Sequence, residues 1–299
     1  MSVEASVREG HIPFRGHHTW YRVVGDGEAE GRLPLVALHG GPGGTHDYLE
    51  SLGALARRGR RVVFYDQLGC GRSDRPDDPS LWTVDLFVEE LDAVREALGL
   101  DRIHLFGSSW GGMLAMEYAL RQKPGLASLI VASSPASMRQ WVKETARLRS
   151  ELPQEVQETL SRHEEAGTTD SQEYEEACMV FYRRHVCRLD EWPDYVVRSM
   201  MALPNQVYLT MNGPSEFHVV GTLKDWDIRD RLGEIELPTL VTSGRYDEAT
   251  PEIAGTVHRG IRGSDWVVFE ESSHMAHAEE PERYLEVLED FLRRRVEGV

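Results

Sequence analysis

Short apolar runs of β-branched and aromatic residues recur along the chain, separated by longer stretches whose apolar positions fall three and four apart. That alternation is expected of a mostly parallel sheet covered by helices. The runs are "WYRVVG" near residue 20, "PLVALH" at 34–39, "RVVFYD" at 61–66, "RIHLFG" at 102–107, "ASLIVAS" at 127–133, "LPTLVTSG" at 237–244 and "DWVVFE" at 265–270. Between the third and fourth, "VDLFVEELDAVREALGL" sets Leu86, Leu91, Val94 and Leu98 on one helical face. "GGMLAMEYALRQ" bridges the next pair, and "EEPERYLEVLEDFLRRRV" closes the chain as a helix with Pro281 in its first turn.

From Ser137 to about Asp227 the rhythm changes. No run there resembles a buried strand. Charged, helix-compatible segments such as "QEVQETLSRHEEAG" and "SQEYEEACMVFYRRHV" take over, broken by Pro153, Gly167, Pro193 and Pro204. The pattern predicts an α/β core at 1–136 and 228–299, with a helical insertion at 137–227 between two sheet strands. Neither internal repeats nor low-complexity tracts are evident.

Composition narrows the function classes. A chain of 299 residues that is 40% hydrophobic can bury a substantial core. A formal charge of −17 argues against nucleic acid or an anionic membrane as partner, since both require concentrated basic surface. Cys70, Cys178 and Cys187 make an odd count without CxxC spacing, so neither a disulfide framework nor a structural zinc site is expected. "MSVEASVREG" has acidic residues where a signal peptide needs a basic start, and no run of about 18 apolar residues occurs, which predicts a cytoplasmic protein.

The chemistry concentrates at "GSSWGG", residues 107–112, directly after a predicted strand and before a predicted helix. Gly-x-Ser-x-Gly in that register makes Ser109 the central serine of a nucleophile elbow. Gly107 and Gly111 let backbone approach a sharp turn, while the helix start favours developing negative charge. A serine needs a base and the base an orienting acid, which on this scaffold follow in the order serine, acid, histidine. "VTSGRYDEATP" supplies Asp247 beyond one strand, and "FEESSHMAH" supplies His274 beyond the next. His277 is the nearest rival base, and Asp225, Asp227 and Asp230 are rival acids on a different loop. Oxyanion donors are expected from the N–H of Trp110, after the nucleophile, and from Gly41 in "HGGPGG". No metal or cofactor is required by this scheme.

"LHGGPGGTHDYLESL", "YDQLGCGRSD", "GSSWGGMLAMEYA", "MNGPSEF", "SGRYDEATP" and "SSHMAHAEEPERY" together resemble the proline iminopeptidase and tricorn-interacting aminopeptidase group of α/β-hydrolases, in matching order from about residue 15 to 295. One departure is Ser108, where relatives often carry Gln or Gly. The resemblance implies an α/β-hydrolase fold with an inserted helical cap, and a serine peptidase that releases the N-terminal residue of short peptides without a cofactor. It also implies that Glu216 in "MNGPSEF" and Glu248 in "SGRYDEATP" bind the free α-amine of the substrate. A buried ammonium without a carboxylate partner would be heavily penalised, which gives that transfer physical sense. Trp110 could in addition wall the pocket for the first side chain, or simply pack in the core.

The expected partner is therefore a short peptide or an aminoacyl amide, with association with a larger protease left open. An amino-acid amidase or esterase would keep the same residues and differ in leaving group. Epoxide hydrolases and dehalogenases share the scaffold but use a carboxylate where Ser109 stands. A non-catalytic binding protein would be expected to have lost one of these groups.

Overall fold

The structure, a computed structural model, describes residues 5–298. Residues 1–4, where the "MSVEASVREG" segment begins, and residue 299 lie outside the described residues. Among those described, eight strands form one sheet: β1 (Val7–Phe14), β2 (His17–Val24), β3 (Leu35–Leu38), β4 (Val62–Tyr65), β5 (Ile103–Ser108), β6 (Leu126–Ala132), β7 (Thr239–Gly244) and β8 (Asp265–Phe269). Their order is β1-β2-β4-β3-β5-β6-β7-β8; β2 runs antiparallel to β1 and β4, and every later pairing is parallel. The seven apolar runs all became strands.

Period-two alternation explains how the sheet carries helices on both faces. On β3, Val36 and Leu38 turn to one core and Leu35 and Ala37 to the other. The first core receives α1 (Val84–Ala97), through Leu86, Leu91 and Val94, and α2 (Trp110–Leu120). All of α2 is buried, which is why its sequence is apolar all round rather than striped. The second core receives a 3-10 segment, His46–Arg58, and the C-terminal part of the chain.

Between β6 and β7 the chain runs through α3 (Met138–Arg149), α4 (Gln154–Ala166), α5 (Gln172–His185), α6 (Asp194–Met200) and α7 (Gln206–Met211). Its exit and return are pinned side by side: the Met138 N–H donates to the Trp226 carbonyl and the Ile228 N–H to the Ala136 carbonyl, both at 2.9 Å. Breakers read in the sequence sit at helix ends. Pro153 and Pro193 are N-caps, and Gly167 closes α4 in the left-handed region at φ 67°. The insertion has a small core of its own, built on Leu148, Leu160, Tyr174 and Phe181. After β7 come α8 (Pro251–Gly260), α9 (Ala276–Glu279) and α10 (Pro281–Phe291), the last beginning at the proline noted above. Strand β1, the 3-10 segment and α8 were not foreseen. In β1 only Ile12 and Phe14 are buried, so an edge strand exposed along most of its length gives no hydrophobic signal.

Candidate active site

Ser109 stands between β5 and α2 with φ 55° and ψ −124°, a conformation that L-residues rarely adopt and that costs on the order of 1–3 kcal/mol. Its surroundings tolerate nothing larger than glycine. A Cβ at Gly107 would lie 2.1 Å from the Gly111 carbonyl oxygen, and one at Gly111 would lie 2.2 Å from that of Leu38. The bend is held by the Ser109 N–H donating to the Ala132 carbonyl at 2.9 Å. Ser108, one residue back, is fully buried.

Asp247 follows β7 and His274 follows β8. The His274 Nδ1–H donates to Asp247 Oδ1 at 2.7 Å, with both side chains buried. That carboxylate is itself fixed by the N–H groups of Ala249 (2.7 Å) and Gly244 (3.3 Å). Burial pulls the His274 imidazole down, but the charge of Asp247, with Glu216 behind it, more than reverses this and leaves it above the ordinary histidine value. The loop bearing His274 is closed by its own acids, since the Ser273 N–H donates to Glu279 at 2.8 Å.

Glu216 and Glu248 meet in the same place. Ser109, His274, Glu216, Glu248 and Gly41 all line one cavity of about 50 Å³. Glu248 Oε1 lies 3.7 Å from His274 Nε2, and its other oxygen, buried, has no hydrogen-bond partner. Glu216 accepts from the Tyr208 hydroxyl at 2.6 Å. Burial raises the Glu216 carboxyl above the usual range, against the pull of that hydrogen bond. Burial, then the charges of Glu216 and Asp247, push Glu248 well above it. Both carboxyls are thus held toward the neutral form, and a cation placed beside them would favour their charged form.

The N–H of Trp110 belongs to the first turn of α2, where a helix leaves its donors without intrahelical acceptors. Gly41 lies across from it at φ 114°, in a loop shaped by the Gly44 N–H donating to the Gly40 carbonyl (3.1 Å) and the Gly40 N–H to the Tyr48 hydroxyl (2.8 Å). The Trp110 indole points into the core and donates to Gln67 at 2.8 Å, while touching a narrow second cavity that Ser109 and Glu216 also reach. A larger cavity of about 460 Å³ lies within the inserted helices and shares Met200, Leu203 and Glu216 with the first.

The rivals fall elsewhere. His277 is buried in α9 with neither ring nitrogen hydrogen-bonded, and burial followed by the His274 charge lowers it to about 3. Asp227 is engaged by Arg229 and Ser137, and Asp225 by Arg139. Sequence reasoning missed Tyr208, Trp141, whose indole N–H donates to the Glu216 carbonyl at 2.6 Å, and His185, whose carbonyl accepts from the N–H groups of both Glu248 and His274 at 3.2 Å. Among the described residues one group has metal-ligand reach, His46 with Asp47 and Glu50, but Arg198 already pairs with both carboxylates. The three cysteines are unpaired and buried, and no helix among the described residues is long and apolar enough to cross a membrane.

Comparison with known proteins identifies the family. The α/β-hydrolase fold family matches residues 34–281. A proline iminopeptidase of Saccharolobus solfataricus is 44% identical over 96% of this chain and 93% of its own length. Among solved structures, VinJ superposes with a TM-score of 0.92 at 49% identity, and the proline iminopeptidase of Mycobacterium smegmatis with 0.87 at 46%; each comparison covers 96% of this chain and 98% of the other. The chain belongs to the α/β-hydrolase family, within its proline iminopeptidase group.

Proposed function

We propose that the protein is a serine exopeptidase that releases the N-terminal residue of short peptides or aminoacyl amides. Ser109 attacks the first carbonyl, and His274 Nε2 takes its proton and returns it to the leaving amine. Asp247 fixes the imidazole and stabilises it when charged, while the N–H groups of Gly41 and Trp110 receive the oxyanion. Water then releases the acyl-enzyme by the reverse relay. Residues 137–227 act as a cap over the site, and the setting we assign is the cytoplasm.

The observation that carries this reading is a pair of carboxylates, the buried Glu248 and the half-buried Glu216, in the cavity that Ser109 and His274 line. An esterase has no use for two acids lining the cavity of its nucleophile. An enzyme that recognises a chain end must compensate an ammonium. The small cavity suits a compact residue such as proline at the cleaved position. A panel of aminoacyl chromogenic amides, free and N-blocked, tests the reading: blocking the amine is expected to abolish turnover. Equal turnover of both forms would leave a general hydrolase.

A pH profile separates the two sets of groups. His274 must be neutral to act as base and the glutamates ionised to hold an ammonium, and all three lie above their ordinary values. Each therefore becomes protonated, and inactive, earlier as the pH falls. The acid limb of log kcat/KM is expected to be steeper than one proton for a free-amine amide and to follow a single proton for an amine-free ester. Identical limbs for the two substrates would detach the glutamates from amine recognition.

A further inference from the structure

An enzyme that clips one residue from a chain end must hold two points a fixed distance apart, the α-amine and the carbonyl one carbon away. In this fold the two holders come from different layers: the oxyanion loop from the end of β3, the amine-binding Glu216 from the insertion. We infer that Asn205 is a positioning residue that ties them together, an inference that rests on the exopeptidase reading.

The connection is continuous. Asn205 Nδ2 donates to the Gly43 carbonyl at 2.6 Å, across 162 residues of chain, and to the Ala202 carbonyl at 3.1 Å. Its Oδ1 accepts the Tyr208 N–H at 3.1 Å, as the N-cap of α7. Tyr208, buried, donates its hydroxyl to Glu216 Oε1 at 2.6 Å. One amide side chain thus contacts the Gly41–Gly44 turn with one end and the residue that aims the carboxylate with the other. The contact leaves no slack. Gly43 sits at φ 95°, and a Cβ there would lie 2.5 Å from Asn205 Oδ1 and 3.0 Å from the Tyr208 nitrogen. The backbone of Glu216 is anchored separately, through Trp141, so Tyr208 governs the carboxylate rather than the chain that bears it.

Asn205→Asp separates the two ends. Aspartate keeps the cap on α7 but exchanges the donor facing the Gly43 carbonyl for an oxygen that repels it. With p-nitrophenyl acetate, kcat is expected to fall on the order of 10- to 100-fold, the scale of a small misplacement of reacting groups. With prolyl p-nitroanilide the same fall in kcat is joined by a rise in KM. Tyr208→Phe, which touches only the carboxylate, is expected to raise KM for the anilide about tenfold with a much smaller effect on the ester. Asn205→Ser, which also retains a capping oxygen, replaces the aspartate variant if that does not fold. Ester kcat at the wild-type level in the Asn205 variants, or losses in both substrates that merely track melting temperature, would overturn the inference. Failure of the exopeptidase reading has a different signature, no preference for a free amine in the unaltered protein, and the ester arm still decides whether Asn205 sets the loop.

Discussion

Ser109→Ala is expected to lower kcat/KM for an aminoacyl amide on the order of 10⁴-fold or more, while the melting temperature barely moves. Nothing nearby can substitute for the lost hydroxyl. Ser108 is fully buried, and the two other hydroxyls lining the cavity are engaged with backbone, Tyr48 accepting from the Gly40 N–H and Ser199 donating to the Thr45 carbonyl. Ser109→Gly provides the complementary measurement. It is equally inactive, but it removes the Cβ from a residue held at φ 55°, so it is expected to be about 1 kcal/mol more stable than the alanine variant in chemical denaturation. That pair of variants separates the nucleophile from the strained bend presenting it. Residual amide turnover within tenfold of wild type in either would mean that another group attacks, and the relay through His274 and Asp247 would lose its purpose.

The parts of this molecule legible in its sequence were those written in local pattern. The inner strands are buried on both faces and read as unbroken apolar runs, and Gly107 had to be glycine for the local reason that the Gly111 carbonyl crowds it. Ser109, Asp247 and His274 are far apart in the chain, yet each stands immediately beyond a strand, and the order of strands in a parallel sheet gathers such ends at one edge. Strand β1 was illegible because its pairing with β2 depends on the tight turn at Arg15 and Gly16, both at positive φ, rather than on buried side chains.

The supporting contacts of the site were illegible for a different reason. Tyr208 in α7 reaches Glu216 in the irregular chain beyond that helix, and Asn205 reaches Gly43 only because the insertion folds back on the sheet. Neither contact lies within one helix or strand, so no periodicity in the sequence announces it. The resemblance named Glu216 and Glu248 but not what aims them. Their energetics also required the structure: fifty acidic residues are indistinguishable in the sequence, and only the fold brings these two into the cavity beside Ser109 and raises both carboxyls.

That pair yields the second large effect. Converting Glu248 or Glu216 to glutamine preserves shape while removing a charge from the cavity, and each change is expected to cost about 2–5 kcal/mol in kcat/KM for a free-amine amide, or roughly 30- to several-thousand-fold. Esters without an amine should lose far less. Stability supplies the control, with a sign opposite to that of ordinary damage. Both carboxyls are raised by burial, so folding at neutral pH must hold them ionised at a cost or bind a proton that the unfolded chain would release. Their contribution to stability is therefore greatest in acid and declines as the pH rises from the unfolded carboxyl value through the raised one. Glutamine escapes that penalty. At neutral pH the variants are expected to melt no lower than the wild type, and higher where the neutral amide finds a partner, whereas near pH 4 the advantage vanishes. A loss of amide turnover accompanied by lower stability at neutral pH would make these residues structural. A loss shared equally by esters would place them on the catalytic relay rather than on the amine.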